Sequence, residues 1–153
     1  GLGFIADPLE HFYLQGNVAL IYSRVSLDEE DKGVQTNLER PLEGQSPYVV
    51  NAQLGYAHPD TGNFVSLVFN VAGPRIIEVG ALGVPDTIEA PQPGLDLVAG
   101  VGLPKGFGLS AKLGNMLNSR QVIKVGDAIQ ESYREGWNVS LGLSWSPKLQ
   151  QDE

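Results

Sequence analysis

A chain of 153 residues with 42% hydrophobic content, 19 Gly, 10 Pro, no Cys and a formal charge of −8 favours many short elements joined by turns, and it has no thiolates for disulfides or metal sites. Its ten Lys and Arg are dispersed, so nothing in it neutralises the phosphates of a nucleic acid or grips an anionic lipid surface. No stretch approaches about 18 uninterrupted apolar residues, which excludes a transmembrane helix but not transmembrane strands, whose signal is about ten residues of alternating character.

Residues 1–11 read as a lead-in. The first strand places Phe12, Leu14, Gly16, Val18, Leu20 and Tyr22 on one side and Gln15, Asn17 and Ser23 on the other, with Tyr13, Ala19 and Ile21 weakening the polar side. A long polar connection, roughly 28–46, carries the run Asp28, Glu29, Glu30 and Asp31 against Lys32 and Arg40. Such a run either stays hydrated as a loop or attracts a cationic ligand or divalent ions. Next, Tyr48, Val50, Ala52, Leu54 and Tyr56 alternate with Val49, Asn51, Gln53 and Gly55. The tight turn His58-Pro59-Asp60-Thr61-Gly62 leads into Val65, Leu67, Phe69 and Val71, which alternate with Ser66, Val68 and Asn70.

After a polar connection over 73–94, Leu95, Leu97, Ala99, Val101 and Leu103 share one side. The turn Pro104-Lys105-Gly106 then gives Phe107, Leu109, Ala111 and Leu113, with Ser110 and Lys112 opposite. A third long connection spans 118–136. The clearest segment closes the pattern: Trp137, Val139, Leu141, Leu143 and Trp145 alternate with Asn138, Ser140, Gly142 and Ser144 without an error. Residues 147–153 are a polar tail.

About six antiparallel strands with period two, joined alternately by tight turns and long polar loops, predict an all-β, up-and-down transmembrane β-barrel segment over 12–146. Short turns on one side and long loops on the other assign the periplasmic and extracellular ends. Both chain ends, including the lead-in 1–11, then fall on the periplasmic side. Tyr56, Phe64, Phe107 and Trp145 are expected near the periplasmic aromatic girdle, and Tyr48 and Trp137 near the outer one. Six strands do not close a barrel, so strands from elsewhere in the protein, or from other chains, are expected at the edges near 12–25 and 137–145. A soluble β-sandwich has the same alternation with its apolar face turned inward, and the pattern by itself leaves that alternative open.

From about Arg40 the chain resembles the end of a TonB-dependent receptor barrel. The resemblance rests on Arg40-Pro41-Leu42-Glu43-Gly44-Gln45-Ser46-Pro47-Tyr48-Val49-Val50-Asn51, on Leu54-Gly55-Tyr56, on the Pro59-Asp60-Thr61-Gly62 turn and on the stretch from Phe69 to Ile76. It continues in Lys112-Leu113-Gly114-Asn115-Met116-Leu117-Asn118 and in Tyr133-Arg134-Glu135-Gly136 before the last strand. What it implies is a 22-stranded barrel in the bacterial outer membrane. Such a barrel holds an N-terminal plug and imports a scarce ligand (a metal chelate, cobalamin or carbohydrate) with energy delivered through the TonB system. The partners implied are the remaining strands, the plug, TonB acting through the plug, and outer-membrane lipid. Asp96 and Lys112, on the lumen side of neighbouring strands, are then expected to pair with plug residues. The residues after the last strand depart from the family, whose barrels end on an aromatic.

Enzymatic chemistry, a cofactor and a metal site are not expected. His11 and His58 lie in no nucleophile or metal motif. Gly100-Val101-Gly102 precedes a turn and not a helix, and Asn138-Val139-Ser140 matches a glycosylation sequon only inside a strand. Beside the transporter reading stands a structural or binding component that completes a multi-chain outer-membrane assembly.

Overall fold

Strict alternation gives a strand one apolar row and one small polar row, and antiparallel pairing brings like rows together across the sheet. The computed structural model describes residues 2–6, 11–26 and 39–146, and these form an all-β, antiparallel fold. In chain order the strands are β1 (Leu2–Ala6), β2 (Phe12–Leu20), β3 (Val25–Ser26), β4 (Glu39–Arg40), β5 (Tyr48–Ala57), β6 (Phe64–Ala72) and β7 (Arg75–Glu78). They continue with β8 (Thr87–Glu89), β9 (Gly94–Gly102), β10 (Phe107–Gly114), β11 (Arg120–Val125), β12 (Ala128–Arg134) and β13 (Asn138–Trp145).

The main sheet has seven strands in the order β1-β2-β5-β6-β9-β10-β13, a meander in which every neighbour is antiparallel. Two tight connections lie at one end. The β5–β6 turn is closed by His58 N donating to Asn63 O at 2.8 Å, and the β9–β10 turn by Leu103 N donating to Phe107 O at 2.8 Å. In the latter turn Lys105 and Gly106 both take positive φ, 65° and 79°. The long excursions all leave from the opposite end.

The excursions between β6 and β9 and between β10 and β13 are not irregular loops. β7, β8, β11 and β12 form a second, four-stranded sheet in which β7-β8-β11-β12 are neighbours in that order. Each is the continuation of β6, β9, β10 or β13, so the second sheet extends the main one beyond a row of bends. The bends fall where the ladder loses donors or left-handed residues intervene: Pro74, Pro91 and Pro93 lack the N–H, and Asn115, Asn118 and Gly136 have φ of 54°, 44° and 84°. Side chains satisfy the groups set free there. Asn115 Nδ2 donates to Gly136 O at 2.7 Å, Gly136 N to Asn118 Oδ1 at 3.2 Å, and Ser119 Oγ to Pro93 O at 2.6 Å.

Two expectations are corrected by this topology. Part of the expected lead-in is a strand: β1 pairs with β2 from Leu2 opposite Val18 to Ala6 opposite Leu14, making seven strands where six are expected. Leu-Gly-Phe-Ile-Ala carries no polar residue to mark a period of two, which is why the sequence hides it. Because β1 runs toward the short-turn end, Leu2 lies toward the end of the long excursions, opposite to the expected placement. The acidic run Asp28, Glu29, Glu30 and Asp31 and the tail 147–153 lie outside the described residues.

Neither face of the main sheet is covered by a second layer among the described residues. Every substantial contact between elements is made by strands adjacent in a ladder, and Ile76 is the one buried hydrophobic residue there. This is not the arrangement of a sandwich, in which two sheets bury their inner faces against each other. Among the described residues the outer edges of β1 and β13 have no partner strand, and no closed barrel forms.

Candidate functional site

Across the six strands from β2 to β13 the two faces of the main sheet differ in chemistry. Leu14, Leu54, Leu67, Leu97, Leu113 and Val139 stand opposite one another in an unbroken row across β2, β5, β6, β9, β10 and β13. The adjacent row on that face is Phe12, Tyr56, Val65, Ala99, Ala111 and Leu141. One register error in any strand would turn its apolar set to the other face. Six strands about 4.8 Å apart, with eight or nine residues rising about 3.3 Å each, make a face of roughly 29 by 28 Å, or about 800 Å². Monomeric soluble proteins rarely expose more than about 300–600 Å² of contiguous apolar surface. Leu54 in the middle of the sheet is 51% exposed, which forfeits about half of the roughly 1.5–3 kcal/mol that full burial of such a side chain gives. The face is built to be covered by something apolar.

Aromatic rings mark both ends of this face. Tyr56 packs against Phe12 with ring centroids 4.9 Å apart, and Phe107 stacks on Trp145 at 6.1 Å, all at the short-turn end. Tyr48, opposite Leu20, and Trp137, just before β13, stand at the other end. Phe64 differs from these six. It lies opposite Gly100 and its ring covers that glycine, where a Cβ would come within 2.3 Å of Phe64 Cε1. Its parity therefore puts it on the polar face, and in place of a girdle position it fills the space left by a missing side chain.

The polar face is small and almost uncharged. Asn17, Asn51 and Asn70 form one row, Gln15 and Gln53 stand in the next, and Ser110 and Gly142 pair near the far edge. Tyr13 lies across Gly55, and its hydroxyl is 2.6 Å from Ser66 Oγ while accepting from Gln53 Nε2 at 3.1 Å. Asp96 and Lys112 are the charged side chains of this face in the main sheet, and they engage each other: Nζ to Oδ2 is 2.7 Å. Asp96 also accepts from Asn115 N at 3.0 Å, tying the pair to the bend between β10 and β11. The sequence reading sought separate partners for these two. The register brings the two together, because Lys112 stands opposite Val98, one position from Asp96 along the same face.

The two partners should therefore differ in their effect on stability. With Lys112 45% exposed, the ion pair itself contributes no more than about 1 kcal/mol. Lys112→Ala is expected to cost less than about 1 kcal/mol, whereas Asp96→Ala also strands the Asn115 amide and is expected to cost about 1–2 kcal/mol. Urea midpoints of the refolded variants measure this, and equal losses would show that the bend does not depend on Asp96.

His11 and His58, 47 positions apart in the chain, meet with ring centroids 4.9 Å apart, a proximity with no sequence motif to announce it. His11 has φ of 83°, and its carbonyl accepts from Ala57 N at 2.8 Å, anchoring the start of β2. Among the described residues no group of three or more His, Cys, Asp or Glu is placed to hold a metal ion. No family model, curated protein or solved structure matches this chain.

Proposed function

We propose that the chain is one wall of an outer-membrane β-barrel, and that it is the C-terminal part of a TonB-dependent receptor that imports a scarce ligand. One observation carries the membrane reading. Six adjacent strands hold their apolar residues in register on one uncovered face, with aromatics at both ends and a small polar face behind. A bilayer's hydrocarbon covers such a face, and water fills or a second body occupies the polar side. Strands of eight to ten residues are the length of a tilted crossing. The short turns would face the periplasm, and the second sheet would rise from the cell surface. The receptor family itself rests on the sequence resemblance, together with the agreement between its alternating loop lengths and the one-ended excursions of the fold.

The strand number favours completion by different strands over assembly from copies. With seven antiparallel strands, β1 and β13 point the same way, so equivalent copies joined edge to edge would meet in parallel. A fully antiparallel barrel needs an odd number of further strands. A 22-stranded wall would take fifteen, within the same polypeptide or from a partner chain. The unpaired edges of β1 and β13 are also what the second reading, a component of a multi-chain assembly, requires.

The test is fractionation and folding of the intact protein expressed in a Gram-negative host. The proposal expects it in the outer membrane, extracted only by detergent, with an electrophoretic mobility in cold dodecyl sulfate that changes on boiling. A detergent-free, monodisperse monomer would overturn it.

A further inference from the structure

At the row of bends, where the main sheet gives way to the second, lies a niche of about 180 Å³ lined by Ser46, Asn70, Gly73, Arg75, Glu89 and Gln92. Asn70 stands opposite Asn51 in the polar row, which puts the niche at the upper end of the polar face. Its volume is below the range of drug-sized sites and close to the liquid volume of about six waters. It is a space for one small ring.

Its walls are fixed from several sides. A Cβ on Gly73 would meet Tyr48 Cε1 at 2.8 Å and Pro47 Cδ at 3.0 Å, so packing closes the wall behind that glycine. Ser46 lies between two backbone ties, Gly44 N donating to Ile76 O at 2.8 Å and Ile21 N to Pro47 O at 2.9 Å. Gln92 lies between Pro91 and Pro93, whose φ is fixed by the ring. That segment is held by Ala90 N donating to Val122 O at 2.9 Å and Ser119 Oγ donating to Pro93 O at 2.6 Å. A site whose shape is set in advance loses little ordering entropy when filled.

The ionic groups of the niche compensate each other. Glu89, with its side chain 13% exposed, has both oxygens engaged: Arg75 Nε lies 2.5 Å from Oε2, and Gln121 Nε2 donates to Oε1 at 2.8 Å. The neutral polar groups are uncommitted. Among the described residues no group donates to or accepts from the side chains of Ser46, Asn70 or Gln92. Asn70 is exposed, and the polar side-chain atoms of Ser46 and Gln92 remain open to water.

We infer that this niche binds a neutral polyol, of the class of a single sugar ring. A hydroxyl and two amides together offer donors and acceptors, as neighbouring ligand hydroxyls require. A charged ligand would lose hydration there without gaining an unpaired partner. That the niche lies on the path of an imported ligand rests on the outer-membrane reading; the niche and its chemistry do not.

The probes are glucose, galactose and mannose, each beside its uronate, in which a carboxylate replaces the hydroxymethyl group. They are titrated into the intact protein in lipid nanodiscs while the side-chain amide signals of Asn70 and Gln92 are followed by NMR. At least one of the three sugars is expected to shift both signals saturably and to leave the amide of Asn17, two strands away in the same row, unmoved. Its uronate is expected to bind at least tenfold more weakly. Gln92→Ala should weaken the sugar about three- to tenfold, the loss of one net hydrogen bond, with the urea midpoint unchanged. Absence of saturation with all three sugars, a uronate that binds as tightly as its sugar, or full affinity in Gln92→Ala would overturn the inference. If the protein proves soluble without detergent, the same titration in buffer tests the niche alone, so failure of the membrane reading and failure of the ligand site give different results.

Discussion

Arginine in place of Leu67 is expected to destabilise the bilayer-inserted protein by about 2–4 kcal/mol, the cost of a cation near the midplane on the lipid side of a barrel. Leu67 sits near the middle of β6 between β5 and β9, and is 37% exposed. In water that exposure would make the substitution nearly silent, since surface changes are usually within about 0.5 kcal/mol. The paired control is Asn51→Arg, on the opposite face between Asn17 and Asn70, where less than about 1 kcal/mol is expected. Chemical unfolding in lipid vesicles measures both. Equal costs on the two faces would remove the asymmetry on which the proposed function depends.

Gly102→Ala is expected to cost about 2–4 kcal/mol, although the position is exposed and the change adds one methyl. A Cβ at Gly102 would lie 2.1 Å from the backbone oxygen of Thr61, so the His58–Asn63 turn must move away from the sheet. That displacement adds overpacking strain of about 1–3 kcal/mol and breaks the bond from Gly102 N to Asn63 Oδ1, 3.1 Å long, worth about 1 kcal/mol. Gly142→Ala is the comparison, because its Cβ would meet the Ser110 hydroxyl at 2.6 Å, a side-chain end that can rotate aside. Less than about 1 kcal/mol is expected there, and thermal or urea unfolding of both variants decides it.

The six strands with polar alternation were legible because period two is a property of the residues themselves. Tyr48–Ala57, Phe64–Ala72 and Asn138–Trp145 fall within one residue of the alternating runs. β1 was not legible, since five residues without a polar member carry no phase. The second sheet was hidden for a different reason: Gly, Pro and charge along 73–94 and 118–136 read as loop. One signal was available, the two-residue Gly126-Asp127 link between β11 and β12 with Gly126 at φ of 57°, which fits a tight hairpin turn.

Phe64 shows that parity outranks nearness to a strand end. The alternating apolar set starts at Val65, so Phe64 belongs to the opposite face whatever its depth. The Asp96–Lys112 pair and the contact of His11 with His58 depend on register and on how separate segments meet. Spacing along one chain does not contain that information.

The central claim, that one face of this sheet meets hydrocarbon and the other does not, is open to one direct measurement. The sequence has no cysteine, so single cysteines along β6 can each carry a fluorophore in lipid vesicles containing nitroxide-labelled acyl chains. Labels at positions 65, 67, 69 and 71 are predicted to be quenched strongly, and labels at positions 66, 68 and 70 weakly, in strict alternation. Uniform quenching, or none at any position, would contradict the account.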